Sequence, residues 1–250
     1  MTRGLAARTD GITADAGPPG GGRDATEHAF DQGYWDQVWA GDRAAAMGGA
    51  RPSPHLVREV GDLPPRSALD AGCGSGAEAI WLAERGWTVT GADIAAAALD
   101  RAAERAAAAG VAGRTRWLQV DLSTWEPDEP YDLVTTHYAH PAMPQLDFYD
   151  RIAGWVRPSG TLLVVGHRRH DGAEGHEHDH GHDRSGSDGG GHDAGSPPAS
   201  ASATAAEIAA RLEPAQWRIL TSEESRRTVS DQDGHGTILQ DVVIRATRLG

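Results

Sequence analysis

Short apolar segments and helix-forming segments alternate between residues 67 and 167, and this alternation constrains the fold more than any other feature of the chain. The apolar segments SALDA, TVTGAD and LLVVG have the length of strands, whereas AEAIWLAE and AAAALDRAAERAAAAG have the composition of helices. Strands that alternate with helices form a parallel sheet through right-handed crossovers, with helices on both faces. The alternation therefore predicts a doubly wound α/β domain.

The C-terminal part resumes this alternation after an interruption. A helix over ATAAEIAARLEP precedes two strands, QWRILTSEESRRTV and GTILQDVVIRATRL, which are joined by SDQDGHG. Because that connection is too short for a helical crossover, we expect the two strands to pair antiparallel. The interruption, residues 168 to about 202, is rich in His, Gly, Asp, Ser and Pro and predicts a flexible insertion in a loop.

The N-terminal residues differ from the rest of the chain. Residues 1–26 are rich in Gly, Pro, Ala and Asp without periodicity, which predicts a disordered tail in front of one domain over residues 27–250. Within that domain, Phe30, Tyr34, Trp35 and Val38 recur at helical spacing and predict a short helix with an aromatic face.

The overall charge and the cysteine content limit the classes of partner. A formal net charge of −13 argues against affinity for nucleic-acid phosphates or anionic membranes, which both favour Lys and Arg. The single cysteine, Cys73, excludes an internal disulfide, and the sequence contains no stretch of about twenty apolar residues that predicts a membrane span. We expect a cytoplasmic monomer or homodimer that acts on a small molecule.

The segment DAGCGSGA joins the first predicted strand to the first helix of the alternation. A tight glycine turn at a helix N-terminus offers free backbone N–H groups, the positive end of the helix dipole and close access for a ligand. Gly72, Gly74 and Gly76 supply this arrangement, but Gly72, Gly74 and Ala77 also satisfy the dinucleotide-binding fingerprint. The turn alone therefore leaves the ligand open.

Three acidic residues favour a cationic nucleoside over a dinucleotide. Asp70 directly precedes the turn, where a carboxylate would repel a pyrophosphate and suit a cationic amino-acid group. Asp93 ends the second predicted strand, a position from which a carboxylate accepts both ribose hydroxyls. Asp121 ends the third predicted strand, where an acid is well placed to bind adenine. The most consistent ligand is a sulfonium nucleoside.

Four segments in order, LDAGCGSG, VTGADI, QVDL and YDLVTTHYAH, resemble the motifs of class I S-adenosylmethionine-dependent methyltransferases. The resemblance covers roughly residues 28–167 and 203–248. It implies a Rossmann-like seven-stranded sheet with an antiparallel last strand, and methyl transfer from S-adenosylmethionine to a small-molecule acceptor. YWDQVWAGD, ARPSPHL, THYAHPAMP and LLVVGH resemble a bacterial tellurite-resistance or thiopurine methyltransferase-like subgroup, without identifying oxygen, nitrogen, sulfur, carbon or a metalloid as acceptor.

The resemblance also implies which residues contact the cofactor. The glycine turn would pass under the methionine part, one acid would lie near the amino group, and two others would bind the ribose and the adenine. These residues are Asp70, Gly72, Cys73, Gly74, Gly76, Asp93, Ile94, Asp121 and Leu122. Tyr34, Trp35 and Trp39 either close over the cofactor, since aromatic rings favour a sulfonium charge, or only pack against the domain.

Three histidines are candidate catalytic bases. Methyl transfer from a sulfonium depends mainly on positioning, and a base is needed only when the acceptor carries a proton. His137, His140 and His167 follow the fourth and fifth predicted strands, at the edge where open α/β sheets bind ligands. The alternative is that they only shape the pocket.

The segment GHEHDHGHD, residues 175–183, is a candidate zinc or nickel site. Its histidines recur at every second position: His176, His178, His180 and His182. The segment is a solvated loop expansion, a loose metal-binding tether or a part of the acceptor site. It also keeps open a second class of function, a non-enzymatic metal-binding or metal-responsive protein on a nucleotide-binding fold.

Overall fold

The predicted alternation of strands and helices is present in the computed structural model, which describes residues 30–41, 51–169, 201–230 and 236–250. The strands are β1 (Ser67–Ala71), β2 (Thr88–Asp93), β3 (Thr115–Gln119), β4 (Tyr131–His137), β5 (Val156–Arg168), β6 (Ser202–Ala203), β7 (Trp217–Ser230) and β8 (Gly236–Arg248). The helices are α1 (Gln32–Ala40), α2 (Pro54–Val60), α3 (Ala77–Glu84), α4 (Ala96–Ala108), α5 (Gln145–Gly154) and α6 (Ala205–Arg211), with a 3₁₀ turn at Ala112–Arg114.

The strands form one twisted sheet in the order β3-β2-β1-β4-β5-β8-β7. Strands β1 to β5 pair in parallel, and β8 is antiparallel to both β5 and β7. The strand order reverses between β1 and β4, which opens a crevice at their carboxyl ends, where such sheets bind ligands. The predicted α/β fold with an antiparallel last strand is confirmed.

Two details of the sheet differ from the sequence-based expectation. Strand β6 pairs in parallel with the end of β5, so the described part of the sheet has eight strands instead of seven. Strand β5 begins at Val156, directly after α5, so it starts before the apolar segment LLVVG that predicted this strand. Both strand segments are too short or too polar to show an apolar strand pattern.

Two apolar layers bury the faces of the sheet. Leu162 and Val164 of β5 belong to the layer under α5 and α6, whereas Leu163 and Val165 belong to the layer under α2, α3 and α4. This division follows from the period of two along a strand, and it explains why the buried strands read as continuous apolar runs. The helices fix the sheet on both sides and leave the carboxyl edge open.

Several expectations fall partly or wholly outside the described residues. The N-terminal tail and the four histidines of the candidate metal segment, His176, His178, His180 and His182, lie outside them. At the two ends of the predicted insertion, Arg168 and Ser202 are strand residues, and Ser202 pairs with His167. No helix in the described part combines the length and the apolar character needed to cross a membrane.

Candidate functional site

A cavity of about 600 Å³ lies at the carboxyl edge of the sheet. Its wall includes many of the residues that the sequence singled out, namely Trp35, Trp39, Gly72, Cys73, Gly74, Asp93, Ile94, Asp121, Leu122, His137 and His140. Tyr34, Asp70, Gly76 and His167 are not part of this wall. The fold therefore brings the glycine turn, two acids and two histidines to one cavity, although these residues come from separate segments.

The glycines of the turn have different structural roles. Gly72 has a φ of 80°, and a Cβ there would lie 2.2 Å from the Cβ of Ala139, so the turn and the loop after β4 approach closely. Gly76 also has a positive φ of 76°, but its Cβ would meet Trp117 of β3 at 2.7 Å. Gly76 thus allows α3 to pack on the sheet, whereas Gly72 and Gly74 border the cavity.

Asp93 connects the end of β2 to the glycine turn. Its Oδ2 accepts a hydrogen bond from the Gly74 N–H at 2.8 Å, and its Oδ1 accepts one from the Ala95 N–H at 2.9 Å. Burial raises the pKa of Asp93, and these backbone bonds oppose that rise. Each carboxylate oxygen can accept a further hydrogen bond, so Asp93 keeps acceptor capacity at the cavity wall.

Asp121 lies two residues beyond the end of β3, rather than at the end of the strand as the sequence suggested. Its Oδ1 accepts hydrogen bonds from the N–H of Ser123 at 2.8 Å and from the Ser123 hydroxyl at 2.6 Å. These bonds orient the carboxylate in the loop that forms the wall beside Leu122.

Asp70 is a buried acid directly behind the glycine turn. Its side chain is 1% exposed, and its Oδ2 has no hydrogen-bond partner among the described residues. Burial raises the pKa of Asp70 well above its ordinary value, and the nearby Glu78 and Asp93 add to this rise. A cationic ligand would stabilise the ionised form of these crowded acids, whereas a phosphate beside them would be disfavoured.

Helix α1 covers part of the cavity with aromatic side chains. Trp39 is buried against Ala95 and Ala98 at the start of α4. Its ring also packs closely on the glycine turn, because a Cβ added at Gly74 would lie 3.2 Å from the Trp39 ring. Trp35 donates a hydrogen bond from its indole N–H to the His140 carbonyl at 3.2 Å. Tyr34 packs edge-on against Trp35, with ring centroids 5.1 Å apart, and does not reach the wall.

The three candidate histidines lie on or behind the wall: His137 ends β4, His140 is in the loop after it, and His167 lies near the end of β5. The His137 Nδ1 is 3.4 Å from the Thr135 hydroxyl, and its Nε2 has no partner among the described residues. The His140 Nδ1 is 3.1 Å from the Gln145 Oε1, and the His140 ring stacks on His167 at 5.3 Å.

The electrostatic state of these rings follows from their environment. Burial lowers the pKa of His137 and of His140, and burial together with His140 lowers the pKa of His167 to about 4. All three imidazoles are therefore neutral at pH 7. His137 and His140 line the cavity as weak bases, whereas His167 supports the His140 ring from behind.

A group of four residues that the sequence did not indicate lies beside the histidines; we call His55, Tyr138, Arg227 and Asp241 the Asp241 cluster. Asp241 accepts bonds from the Arg227 Nε–H at 2.6 Å and pairs with the His55 Nε2 at 3.1 Å. Arg227 also donates from Nη2 to the Tyr138 hydroxyl at 2.9 Å, and both Tyr138 and Arg227 line the cavity. A single acid inside the apolar run ILQDVVIRA was the one signal available.

Residues 68–160 match the family described as "Methyltransferase domain". This segment of the chain is therefore similar to a methyltransferase domain. The match covers the glycine turn, Asp93, Asp121 and the histidines after β4, and it confirms the resemblance drawn from the four sequence motifs at the level of the family.

Curated proteins similar to this chain have names that give different methyl acceptors. The chain is 34% identical over 122 residues to a trans-aconitate 2-methyltransferase of Streptomyces coelicolor, covering 46% of this chain and 40% of the relative. It is 36% identical over 141 residues to a probable thiol methyltransferase 2 of Arabidopsis thaliana, covering 53% of this chain and 61% of the relative. The chain thus spans about half the length of these relatives.

Solved structures share the fold of this chain. TehB from Haemophilus influenzae superposes with a TM-score of 0.58 at 14% identity, over 88% of this chain and 67% of that one. The 1,6-didemethyltoxoflavin-N1-methyltransferase of Burkholderia thailandensis superposes with a TM-score of 0.57 at 20% identity, over 89% of this chain and 88% of that one. These similarities show the shared architecture of the whole sheet.

Proposed function

We propose that this chain transfers a methyl group from S-adenosylmethionine to a small-molecule acceptor. The observation that carries the proposal is the position of Asp93, which borders the cavity while its carboxylate is held by the glycine turn at Gly74. A carboxylate in this position, next to a close-approach glycine turn, is suited to the hydroxyls of a ribose. The methyltransferase family match supports the reaction class.

The residues around the turn fit a cationic nucleoside cofactor. The Asp70 Oδ2 is buried and has no hydrogen-bond partner among the described residues, and the crowding of Asp70, Glu78 and Asp93 disfavours an anionic ligand. Asp93 would bind the ribose, Asp121 the adenine amino group, and Ile94 and Leu122 would line the base. Gly72, Cys73 and Gly74 would lie under the methionine part, with Asp70 behind them and Trp35 and Trp39 above.

The bound cofactor supplies an activated methyl group on a sulfonium, so this chain contributes mainly binding, orientation and exclusion of water. Aromatic side chains of α1 cover the cavity and provide surfaces that attract a cation. His137 and His140 are neutral, so either one can take a proton from an acceptor that has one to lose. His167 would act only through the His140 ring.

The proposed methyl acceptor is a small molecule. Relatives named as thiol and thiocyanate methyltransferases, together with the fold shared with TehB, support the tellurite-resistance or thiopurine methyltransferase-like subgroup. The negative charge of the chain supports the absence of a nucleic-acid partner. The cytoplasmic location of the protein and its monomeric or homodimeric state are predicted from the sequence alone.

The metal-binding alternative has no support in the described residues. Among them, no three His, Cys, Asp or Glu side chains are arranged to hold a metal ion. We propose zinc or nickel binding only for His176, His178, His180 and His182, which the structure does not describe, as a property separate from catalysis.

The test combines cofactor binding with turnover. Calorimetry with S-adenosylmethionine measures the affinity, and formation of S-adenosylhomocysteine is followed with a panel of thiols, thiocyanate, trans-aconitate, tellurite, selenite and amines. We expect micromolar cofactor binding and turnover of at least one acceptor. A chain that binds no S-adenosylmethionine would contradict the proposed function.

A further inference from the structure

Asp241 is the buried centre of the Asp241 cluster. It is 0% exposed in β8, where the buried Val242 and Val243 follow it, and yet it pairs with the side chains of His55 and Arg227. Burial alone would raise the pKa of Asp241, but bonds from His55, Arg227 and Tyr138 lower it below its ordinary value. The carboxylate is therefore ionised, and its charge acts on the groups around it.

Charge is divided across the cavity wall. The acidic lining residues are Glu78, Asp93 and Asp121, from the half of the site built by β1, β2 and β3. The wall has two arginines: Arg227, from β7, and Arg51, which lies near the acidic half because the N–H of Ser53 binds the Glu78 Oε1. Because β7 and β8 lie on the other side of β4 and β5 from β2, Arg227 forms a cationic half that is separate from the half that fits the cofactor.

Arg227 and Tyr138 are held in defined positions at this cationic half. Asp241 binds the Nε–H of Arg227, and the Nη2 donates to the Tyr138 hydroxyl, which leaves further guanidinium N–H donors for other groups. Tyr138 has a φ of 55°, in the left-handed region that a residue with a side chain rarely adopts. Such strain persists only where the surroundings impose it, and it occurs preferentially at functional sites.

The tyrosine is a hydrogen-bond donor rather than a base. Burial raises the pKa of Tyr138, and the neighbouring Asp241 adds to this rise, so the hydroxyl keeps its proton at neutral pH. The ring lies 4.9 Å from that of His167, which fixes its orientation on the second side. The hydroxyl proton of Tyr138 is directed to Asp241, so the remaining guanidinium N–H groups of Arg227 are the donors left for a ligand, and they favour a group that carries negative charge.

We propose that Asp241 is a positioning residue that holds Arg227 and Tyr138 at the acceptor end of the cavity, where the remaining guanidinium N–H groups of Arg227 bind an anionic acceptor. This inference rests on the proposed methyltransferase function and names the class of its second substrate. The acceptor carries a carboxylate, a thiolate or a comparable anionic group.

A second buried acid in the same region provides a matched control. Glu59 is 7% exposed, and it binds the Arg58 Nε–H at 2.7 Å and the Thr221 hydroxyl at 2.8 Å. Glu59 connects α2 to β7, much as the pair of His55 and Asp241 connects α2 to β8. Neither Glu59 nor its partners line the cavity. Glu59→Gln therefore measures the loss of stability expected when a buried acid has a structural role only.

The experiment compares Asp241→Asn with Glu59→Gln in the full chain. Binding of thiocyanate, trans-aconitate and hydrogen sulfide to the S-adenosylhomocysteine complex is measured by calorimetry, and KM and kcat are measured for each anion that is methylated. For Asp241→Asn we expect at least tenfold weaker anion binding or higher KM, with S-adenosylhomocysteine affinity within twofold of wild type. For Glu59→Gln we expect a lower Tm and unchanged anion affinity.

Arg227→Gln is a second variant that leaves Asp241 paired with His55, so it tests the same link if Asp241→Asn fails to fold. The same loss of anion affinity supports the proposal. Three outcomes would each overturn the proposal. The first is unchanged anion affinity in Arg227→Gln, and the second is an equal effect of Asp241→Asn and Glu59→Gln on anion affinity. The third is a wild type that binds the cofactor but none of the anions. These outcomes leave the methyltransferase function standing, whereas a wild type that binds no S-adenosylmethionine overturns both.

Discussion

The Asp93 carboxylate accepts a hydrogen bond from the Gly74 N–H at 2.8 Å, which ties the end of β2 to the turn that follows β1. The bond spans two neighbouring parallel strands at their carboxyl ends. It places an acid with remaining acceptor capacity beside a backbone that a ligand can approach closely.

Replacing Asp93 by Ala should weaken S-adenosylmethionine binding. The variant loses a carboxylate that would accept two ribose hydroxyls, which costs on the order of 2 to 4 kcal/mol of binding free energy. Calorimetry measures the affinity, and a thermal melt separates it from the loss of the bonds to Gly74 and Ala95. Wild-type affinity in a folded Asp93→Ala variant would show that Asp93 is not a cofactor residue.

Gly76→Ala should destabilise the domain more than Gly110→Ala, although both glycines have a similar positive φ, 76° and 73°. A Cβ at Gly76 would lie 2.7 Å from Trp117, whereas a Cβ at Gly110 meets no atom within 4 Å. We expect about 1 kcal/mol of lost unfolding free energy for Gly110→Ala, from the backbone alone, and about 2 to 4 kcal/mol for Gly76→Ala. Urea denaturation of both variants tests this difference, and equal losses would contradict the packing role of Gly76.

His167 should make the domain less stable in acid. Its pKa in the folded state is about 4, below the ordinary 6.5, so the unfolded chain binds the proton first as the pH falls. The contribution of the neutral ring is therefore complete above pH 6.5 and is lost progressively towards pH 4. The full loss of unfolding free energy is on the order of 3 kcal/mol.

The measurement for His167 is the free energy of unfolding at several pH values between 4 and 7, for wild type and for His167→Gln. His137 and His140 shift in the same direction, so the wild-type slope contains their contributions as well. The difference between the two proteins isolates His167, and parallel pH profiles would refute its assignment as a buried neutral ring.

Deleting residues 172–193 should remove metal binding without affecting the α/β domain. His167 and Ser202 are partners in adjacent strands, so a shorter connection still spans the distance between β5 and β6. Shortening a loop by this amount changes its closure free energy by only about 1 kcal/mol or less. We expect an unchanged Tm and cofactor affinity.

The wild-type chain should bind zinc or nickel at roughly micromolar strength through its histidine segment, with weaker binding below about pH 6.5, where imidazoles become protonated. Calorimetry with both metals compares wild type with the deletion variant. Loss of S-adenosylmethionine binding on deletion would show instead that the histidine segment belongs to the catalytic site.

The fold could be predicted because its signals are local. Apolar segments of strand length, the helices between them and the short last connection each depend on neighbouring residues, and together they specify the parallel sheet with its antiparallel end. The glycine turn and Asp93 were also predictable, because a strand end and a helix start determine where the two groups must lie.

The tertiary structure alone decided which distant groups meet. Arg227 and Tyr138 are 89 residues apart, and His55 and Asp241 are 186 residues apart, so no periodicity or spacing in the sequence relates them. In the sequence, Gly76 cannot be distinguished from the other glycines of the turn, and only the packing of Trp117 against it shows its separate role. Sequence patterns report the period of the local backbone, whereas a buried charge cluster depends on which strands become neighbours in the sheet, and that order is set by packing of the whole chain.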